Sequence, residues 1–497
     1  MLPMSQPLKL TTLAALPPAV ARPAYAREAL RPGILHIGVG NFHRAHQAVY
    51  LDDLFNAGKD HDWAILGAGV RAGDRAMRQS LEAQDWLTTV VELAPGALRA
   101  RITGAMLGFV PIGEDACAIV DALDDPAIRI VGLTITEGGY CIDPATGAFN
   151  PDHSEIRQDA RNLDRPKGVF GALAAALKRR RERGIAPFTV MSCDNLPGNG
   201  HVAREAVAGL AALVDAGLEA YVREQVAFPS SMVDRITPAT TDRERGLLTK
   251  HFGIDDGWPV FCEPYRQWVL EDHFSAGRPA FEEAGVTFTK DVAAYELMKI
   301  RILNGGHAAI AYPARLLGIH FVHDAMADPD VRAFLDRLEK EEIVPCVPPV
   351  PGVDLKAYYN LIADRFANPE VGDTIPRLAF DGSNRQPKFI LPSARDRLRA
   401  GAPVTGLALV SALWCRYCAG TDDAGAPLGV EDDDAGRLVP AARAAKDDPG
   451  VFLGLRDIFG DLADAPAFRA AFATALDGLW REGTRATLAR YVEGRLA

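Results

Sequence analysis

"GILHIGVGNFHRAHQAVYLDDLFNAG", residues 33–58, decides the fold. The apolar run from Ile34 to Ile37 reads as a strand, Gly38-Val39-Gly40 as a tight turn, and the residues after it carry apolar positions at helical spacing. "WAILGAGV", residues 63–70, is a second short apolar run. Strand, helix and strand in that order form a βαβ unit, whose strands must be parallel because the helix carries the chain back across the sheet. Further on, "IRIVGLTIT" (128–136) and "FTVMSCDN" (188–195) are apolar runs ending in polar residues, separated by helical stretches such as "VFGALAAALKRRRERG" (169–184). This alternation predicts a Rossmann-type α/β domain with a mostly parallel sheet, whose ligands lie beyond the carboxyl ends of the strands.

Past residue 290 the strand signals stop. "VAAYELMKIRILNGGHAAIAYPARLLG" (292–318), "DPDVRAFLDRLEKEEIVPCV" (328–347) and "PVTGLALVSALWCRYCAG" (403–420) all read as helices. The expected division is therefore residues 1–289 as the dinucleotide-binding domain and 290–497 as a largely α-helical domain. A chain of 497 residues is long enough for two cores.

Composition narrows the function. Hydrophobic residues make up 48% and charged residues 24%, which is globular usage. A net charge of -11 disfavours nucleic acid or an anionic membrane surface as partner, since both reward a basic face. The seven scattered cysteines read as reduced thiols, and the segment before residue 33 as an irregular leader rather than a signal peptide. A cytoplasmic protein is expected. Cys415 and Cys418 have the spacing of a redox or zinc half-site, but no second pair accompanies them, so they read as ordinary helix residues.

The turn Gly38, Gly40, Asn41, Phe42 and His43 is the first chemical motif. Glycines there let backbone N–H groups approach a pyrophosphate at the start of a helix. His43 stands where the usual fingerprint has glycine. After the second strand, Asp74 offers a carboxylate to an adenosine ribose, which favours NAD; Arg71 leaves NADP as the lesser alternative, because a guanidinium holds a 2′-phosphate. His43 and His46 suggest a metal pair, but their place in this turn and the absence of an H-E-x-x-H motif argue against metal.

Within residues 292–318 the polar groups fall on the wrong face for a surface helix. At about 100° per residue, Glu296, His307 and Asn304 all lie within about 140° of Lys299, in the arc that also holds Ile300, Leu303 and Ile310. A buried Glu296–Lys299 pair with a satisfied histidine would account for part of this. The adjacent Gly305 and Gly306 would not follow from it, since each costs a helix about 1 kcal/mol relative to alanine. Something must approach the backbone there. Three further groups follow strand ends: Glu137 in "TEGGYC", Asn195 after Asp194 in "VMSCDN", and Asp234 beside Arg235 in "MVDRITP". Asp194 and Asn195 also suit a turn cap, and Asp234 with Arg235 a buried ion pair.

Together, "GVGNFHRAHQAVYLDDL", "TEGGYC", "VMSCDN", "MVDRITP" and "KIRILNGGHAAIAY" resemble the mannitol dehydrogenase family of polyol-specific long-chain dehydrogenases over nearly the whole chain. "DGSNRQPKFILP" (381–392) and "ALWCRYC" (412–418) are more similar to its D-mannitol branch than to its hexuronate-reducing branch. The resemblance implies a metal-independent, NAD-dependent oxidoreductase that interconverts D-mannitol and D-fructose. It implies Lys299 as general base, Asn195 and Asn304 as hydrogen-bond donors to the substrate oxygen, and His307 as a positioning group. Burial and a nearby nicotinamide cation would lower the pKa of such a lysine. Asp234 would orient the site, Arg377 would hold substrate hydroxyls, and Glu137 and Glu296 would relay the proton. Arg385 stands where the family often has lysine, and Lys388 is its neighbouring alternative. Other members act on D-arabinitol, D-sorbitol or D-mannonate; a dinucleotide-binding sensor without chemistry is the alternative outside enzymes. The family implies a monomer or a small homo-oligomer.

Overall fold

The computed structural model describes residues 5–496 except Val70, Ala72, Ile112 and residues 144–146. Val70, the last residue of the expected second strand, and Ala72 beside Arg71 thus lie outside the described residues. The chain forms two compact units, Met1–Ala293 and Ala294–Ala497.

The first unit is built on five strands: β1 (Pro32–Ile37), β2 (Ala64–Ala68), β3 (Met106–Phe109), β4 (Ile130–Leu133) and β5 (Thr189–Ser192). They pair in the order β3-β2-β1-β4-β5, and every pairing is parallel. Ile34, Leu35, Ile37, Ile130, Val131, Leu133 and Val190 are all buried, as strands covered by helices on both faces require. The strand order reverses between β1 and β4, which opens a crevice at their carboxyl ends.

Gly38 lies at that point. Its φ of +96° suits glycine alone, and a Cβ there would collide with the backbone carbonyl of Thr134 just after β4. Beyond the strands expected from the sequence, the unit also has a hairpin, Thr88–Ala94 with Ala97–Thr103, turned at Gly96 with φ +70°. Gln267–Leu270 pairs antiparallel with Ser231–Asp234 and parallel with Thr287–Phe288.

The second unit is helical. Its elements include Gly305–Leu316, Pro329–Leu338, Leu355–Phe366, Thr405–Cys418 and Pro466–Arg481. Thr405–Cys418 is buried along almost its whole length, and Trp414 packs with Phe452 and Phe459 in an aromatic core. Cys415 and Cys418 are free buried thiols of this helix. Among the described residues no helix is long and apolar enough to cross a membrane.

One expectation about local structure needs correction. Residues 292–318 are not one uniform α-helix: Val292–Met298 is α-helical, Lys299–Asn304 is a π-helical turn, and Gly305–Leu316 is α-helical again. The Gly305 N–H donates to the Ile300 carbonyl, five residues back. A wheel at constant pitch therefore misplaces everything on one side of the turn relative to the other. Such π turns are frequent at functional sites.

Candidate functional site

In the first unit, the turn after β1 is shaped for close approach. The Gly40 N–H donates to the Gly38 carbonyl at 2.7 Å, and a Cβ on Gly40 would meet no atom closer than 4.0 Å. Open space above an exposed glycine backbone is what a pyrophosphate needs. Asn41–Ala45 follows as a short helix. Arg44, buried beneath it, donates to Asn41 Oδ1 at 2.7 Å and so leaves the Asn41 amide hydrogens pointing elsewhere. Phe42 stacks on His46, with ring centroids 4.8 Å apart.

His43 turns inward and stacks on His36 at 3.5 Å. Burial pushes its pKa down to about 3, with the Arg44 cation adding to the effect, so it is a neutral packing group. His46 is equally buried and falls to about 3. Its two ring nitrogens face the Gln267 carbonyl at 2.9 Å and the Gln47 amide at 3.1 Å. Neither histidine is placed as a ligand, and among the described residues no group of three or more His, Cys, Asp or Glu could hold a metal ion.

After β2, the Asp74 carboxylate accepts the Arg71 N–H at 3.2 Å and lies against Gly69, where a Cβ would strike it. It opens the helix Asp74–Ala83 at the crevice end of the sheet, and Arg71 Nη2 reaches the Ile135 carbonyl at 3.5 Å.

Asp194, which follows β5, carries more than a turn. Its carboxylate accepts the N–H groups of Ile135 and Thr136 at 3.0 and 2.9 Å and the hydroxyl of Tyr140 at 2.7 Å. Asp194 therefore ties the segment bearing Asn195 to the 3-10 turn Glu137–Tyr140 that bears Glu137. That loop is strained: Thr136 and Cys141 have φ of 66° and 52°. Asn195 and Glu137 are both exposed, whereas Asp234, at the end of its strand, is buried. Arg235 is held by several acceptors: its Nη2 donates to Glu92 Oε1 at 2.7 Å, and its other nitrogens donate to the Glu263 and Ala45 carbonyls. A guanidinium carries five N–H donors and so reaches several acceptors at once.

In the second unit, the π turn carries Lys299 at its start and Asn304 at its end, with His307 one turn later. Lys299 is buried, at 8% exposure, and Glu296 half-buried on the preceding turn. Arg301 anchors the other side of the π turn through Ser393 Oγ at 2.9 Å and Asp396 at 2.7 Å. Asn304 Oδ1 and His307 Nε2 are shielded from solvent without a hydrogen-bond partner among the described residues. Both atoms therefore keep hydrogen-bonding capacity that no described residue uses.

What lies against the glycine pair explains Gly306 but leaves room at Gly305. A Cβ on Gly306 would come within 3.0 Å of Glu339 Oε1 and 3.3 Å of Phe366 Cε2, and one on Gly305 within 3.4 Å of the Phe389 carbonyl. His307 stacks on Phe366 and is driven to a pKa of about 3 by burial, against the attraction of Asp373 and with the repulsion of Arg377, Arg385 and Arg365. Arg377 forms a two-point ion pair with Asp373. Arg385, half-buried at the end of Gly382–Arg385, stands near the same group, and its pKa is lowered by burial. Lys388 is exposed on the π-helical segment Gln386–Ile390.

Asp194, Asp373, Phe366 and Glu339 are absent from the residues singled out by sequence as candidate chemistry. Two of them left a local signal: Asp194 in the turn-cap position already noted, and Asp373 four residues before Arg377 on what becomes a helix start.

Two family descriptions match this chain: the mannitol dehydrogenase Rossmann domain over residues 32–283 and the mannitol dehydrogenase C-terminal domain over residues 291–480. The chain belongs to the mannitol dehydrogenase family. Among members of this family, the mannitol 2-dehydrogenase of Cereibacter sphaeroides is 59% identical over 474 residues, covering 95% of this chain and 99% of that one. The mannitol 2-dehydrogenase of Aspergillus fumigatus strain Af293 is 40% identical over 477 residues, 95% of each chain. Pseudomonas fluorescens mannitol 2-dehydrogenase, solved as a ternary complex with NAD and D-mannitol, superposes with a TM-score of 0.86 at 42% identity, covering 98% of this chain and all of that one (100%). A D-sorbitol dehydrogenase solved in substrate-free form gives a TM-score of 0.91 at 35% identity, covering 97% and 100%.

Proposed function

We propose that this mannitol dehydrogenase family member catalyses the NAD-dependent oxidation of D-mannitol to D-fructose and the reverse reduction, without a metal. The observation that carries the reading is the π turn that buries Lys299 and presents Asn304 Oδ1 and His307 Nε2 unpaired, in a chain 59% identical to a mannitol 2-dehydrogenase.

NAD bound at the β1 turn supplies the hydride acceptor for the carbinol carbon. Gly38, Gly40, Asn41 and Phe42 would cradle its pyrophosphate and Asp74 its ribose, with Arg71 beside it; His43 supports the turn from below. Lys299 Nζ takes the proton from the secondary hydroxyl as the carbon–hydrogen bond breaks, so the oxygen keeps the electron pair that becomes the carbonyl π bond. Asn195 and Asn304 donate hydrogen bonds to that oxygen from their amide nitrogens, most strongly as it gains alkoxide character, which leaves Asn304 Oδ1 to accept from a substrate hydroxyl. His307, neutral at working pH, holds a neighbouring hydroxyl. Asp234 orients the groups around the reacting oxygen. Glu137 and Glu296 pass the proton from Lys299 to water, and Arg377 with Arg385 or Lys388 holds the distal hydroxyls.

D-Sorbitol is the second substrate to weigh, because the fold likeness to a D-sorbitol dehydrogenase is as high as to the mannitol enzyme. Initial rates of NAD reduction, measured with EDTA present on D-mannitol, D-sorbitol, D-arabinitol and D-mannonate, test the proposal. A dominant rate on D-mannitol that EDTA does not change supports it. Preference for D-sorbitol or D-mannonate reassigns the substrate within the family, and tight NADH binding with no turnover on any of the four would restore the sensor reading.

A further inference from the structure

Asp373 lies among the cations assigned above to substrate hydroxyls. Arg377 Nε donates to Asp373 Oδ1 at 2.7 Å, and Arg377 Nη2 donates to Oδ2. The same Oδ1 accepts the Thr374 N–H at 2.8 Å, which locks the carboxylate in place at the start of Ile375–Ala379. The Asp373 side chain is 10% exposed, while that of Arg377 is 56% exposed. Asp373 also interacts electrostatically with His307 and Arg385. Burial alone would raise its pKa, but the Arg377 hydrogen bonds more than offset this, so the group is a carboxylate.

The pairing divides the chemistry of Arg377 in two. Its charge is cancelled by Asp373, yet Nη1 makes no hydrogen bond among the described residues and remains a donor. A neutral hydroxyl needs only that donor. A substrate carboxylate needs an uncompensated cation, which Arg377 is not while paired, and although Arg385 stands nearby, the Asp373 charge that acts on Arg385 would oppose the acid there as well. His307 adds no positive charge, because it is neutral.

We propose that Asp373 is a specificity-determining residue which, by pairing with Arg377, fits the substrate site to uncharged polyols and rejects sugar acids. This rests on the polyol reading above and deepens it.

The test uses the full chain with NAD. The Km for D-mannitol and the inhibition constant of D-mannonate against D-mannitol are measured for the parent, Asp373→Asn, Asp373→Ser and the double variant Asp373→Asn/Arg377→Met. Asparagine keeps an acceptor for Thr374 and Arg377 while removing the charge, and serine serves if asparagine does not fold. The expected result is D-mannonate binding tightened by about tenfold or more relative to D-mannitol, the scale of one charge-assisted hydrogen bond, with the gain lost in the double variant. An acid-to-polyol ratio that stays unchanged or falls, or a gain that survives removal of Arg377, overturns the inference. A parent inactive on every polyol would instead overturn the proposed function and this inference with it, an outcome distinct from an active parent whose ratio does not move.

Discussion

Phe366 stacks on His307 with ring centroids 3.9 Å apart and planes 15° from parallel, and the same Phe366 ring lies against Gly306. An imidazole held this way in an apolar wall stays neutral, with a pKa of about 3. Its nitrogen signals are expected not to shift between pH 5 and 9; a titration near 6.5 by ¹⁵N NMR would refute the neutral assignment. Because the folded pKa lies below the unfolded value, His307 favours the folded state above about pH 6.5. That contribution is lost as pH falls toward 3, at about 1.4 kcal/mol per unit.

Glu339 should act in the opposite direction. It is fully buried, neither carboxyl oxygen has a hydrogen-bond partner among the described residues, and burial raises its pKa well above the ordinary range. The neutral acid fits the interior, so stability is complete below about pH 4.3 and declines as pH rises toward the elevated folded-state value. Glu339→Gln removes that decline. The Tm difference between variant and parent is expected to grow in the variant's favour from pH 5 to pH 8, whereas a constant difference would show that Glu339 does not titrate this way.

The two adjacent glycines should tolerate alanine unequally. Gly305→Ala places its methyl at ordinary contact distance from the Phe389 carbonyl, whereas Gly306→Ala presses on Glu339 and Phe366. We expect Gly306→Ala to lose about 1–3 kcal/mol by overpacking and to lower kcat/KM by shifting His307. Gly305→Ala should stay within about 1 kcal/mol of the parent. Urea melts and kinetics of both variants decide; equal behaviour would mean that the contacts at Gly306 relax without cost.

Lys299→Ala should lose about 10²–10⁴-fold in the hydride-transfer rate, the range for removal of a general base, while NADH affinity changes little. Single-turnover measurements with a fluorescence titration of NADH separate the two. Retention of most of the rate at neutral pH would remove Lys299 from the base role.

Removing the Asp194 carboxylate with Asp194→Ala should release the Glu137 loop, because the N–H groups of Ile135 and Thr136 and the Tyr140 hydroxyl all lose their acceptor. Faster amide exchange at 135–140 with a Tm lowered by several degrees is expected; unchanged exchange would mean that the strained loop holds itself.

The sequence by itself determined the elements whose causes are local. A strand ending in Gly38 with positive φ, a helix after it, and buried apolar strands at βαβ spacing follow from steric limits and periodicity that neighbouring residues set. It also placed Lys299, Asn304 and His307 within one helical stretch. Tertiary structure decided the rest, because those features depend on partners distant in the chain. The π turn at 299–304 is anchored by Arg301 to Ser393 and Asp396, more than ninety residues on, and no helical periodicity announces it. Asp194 joins a loop 58 residues upstream, Arg235 reaches back to Glu92, and Glu339 and His307 are neutral only because other helices exclude water from them. Desolvation is a property of the assembled interior, so the charge state of a site is settled only when the chain has folded around it.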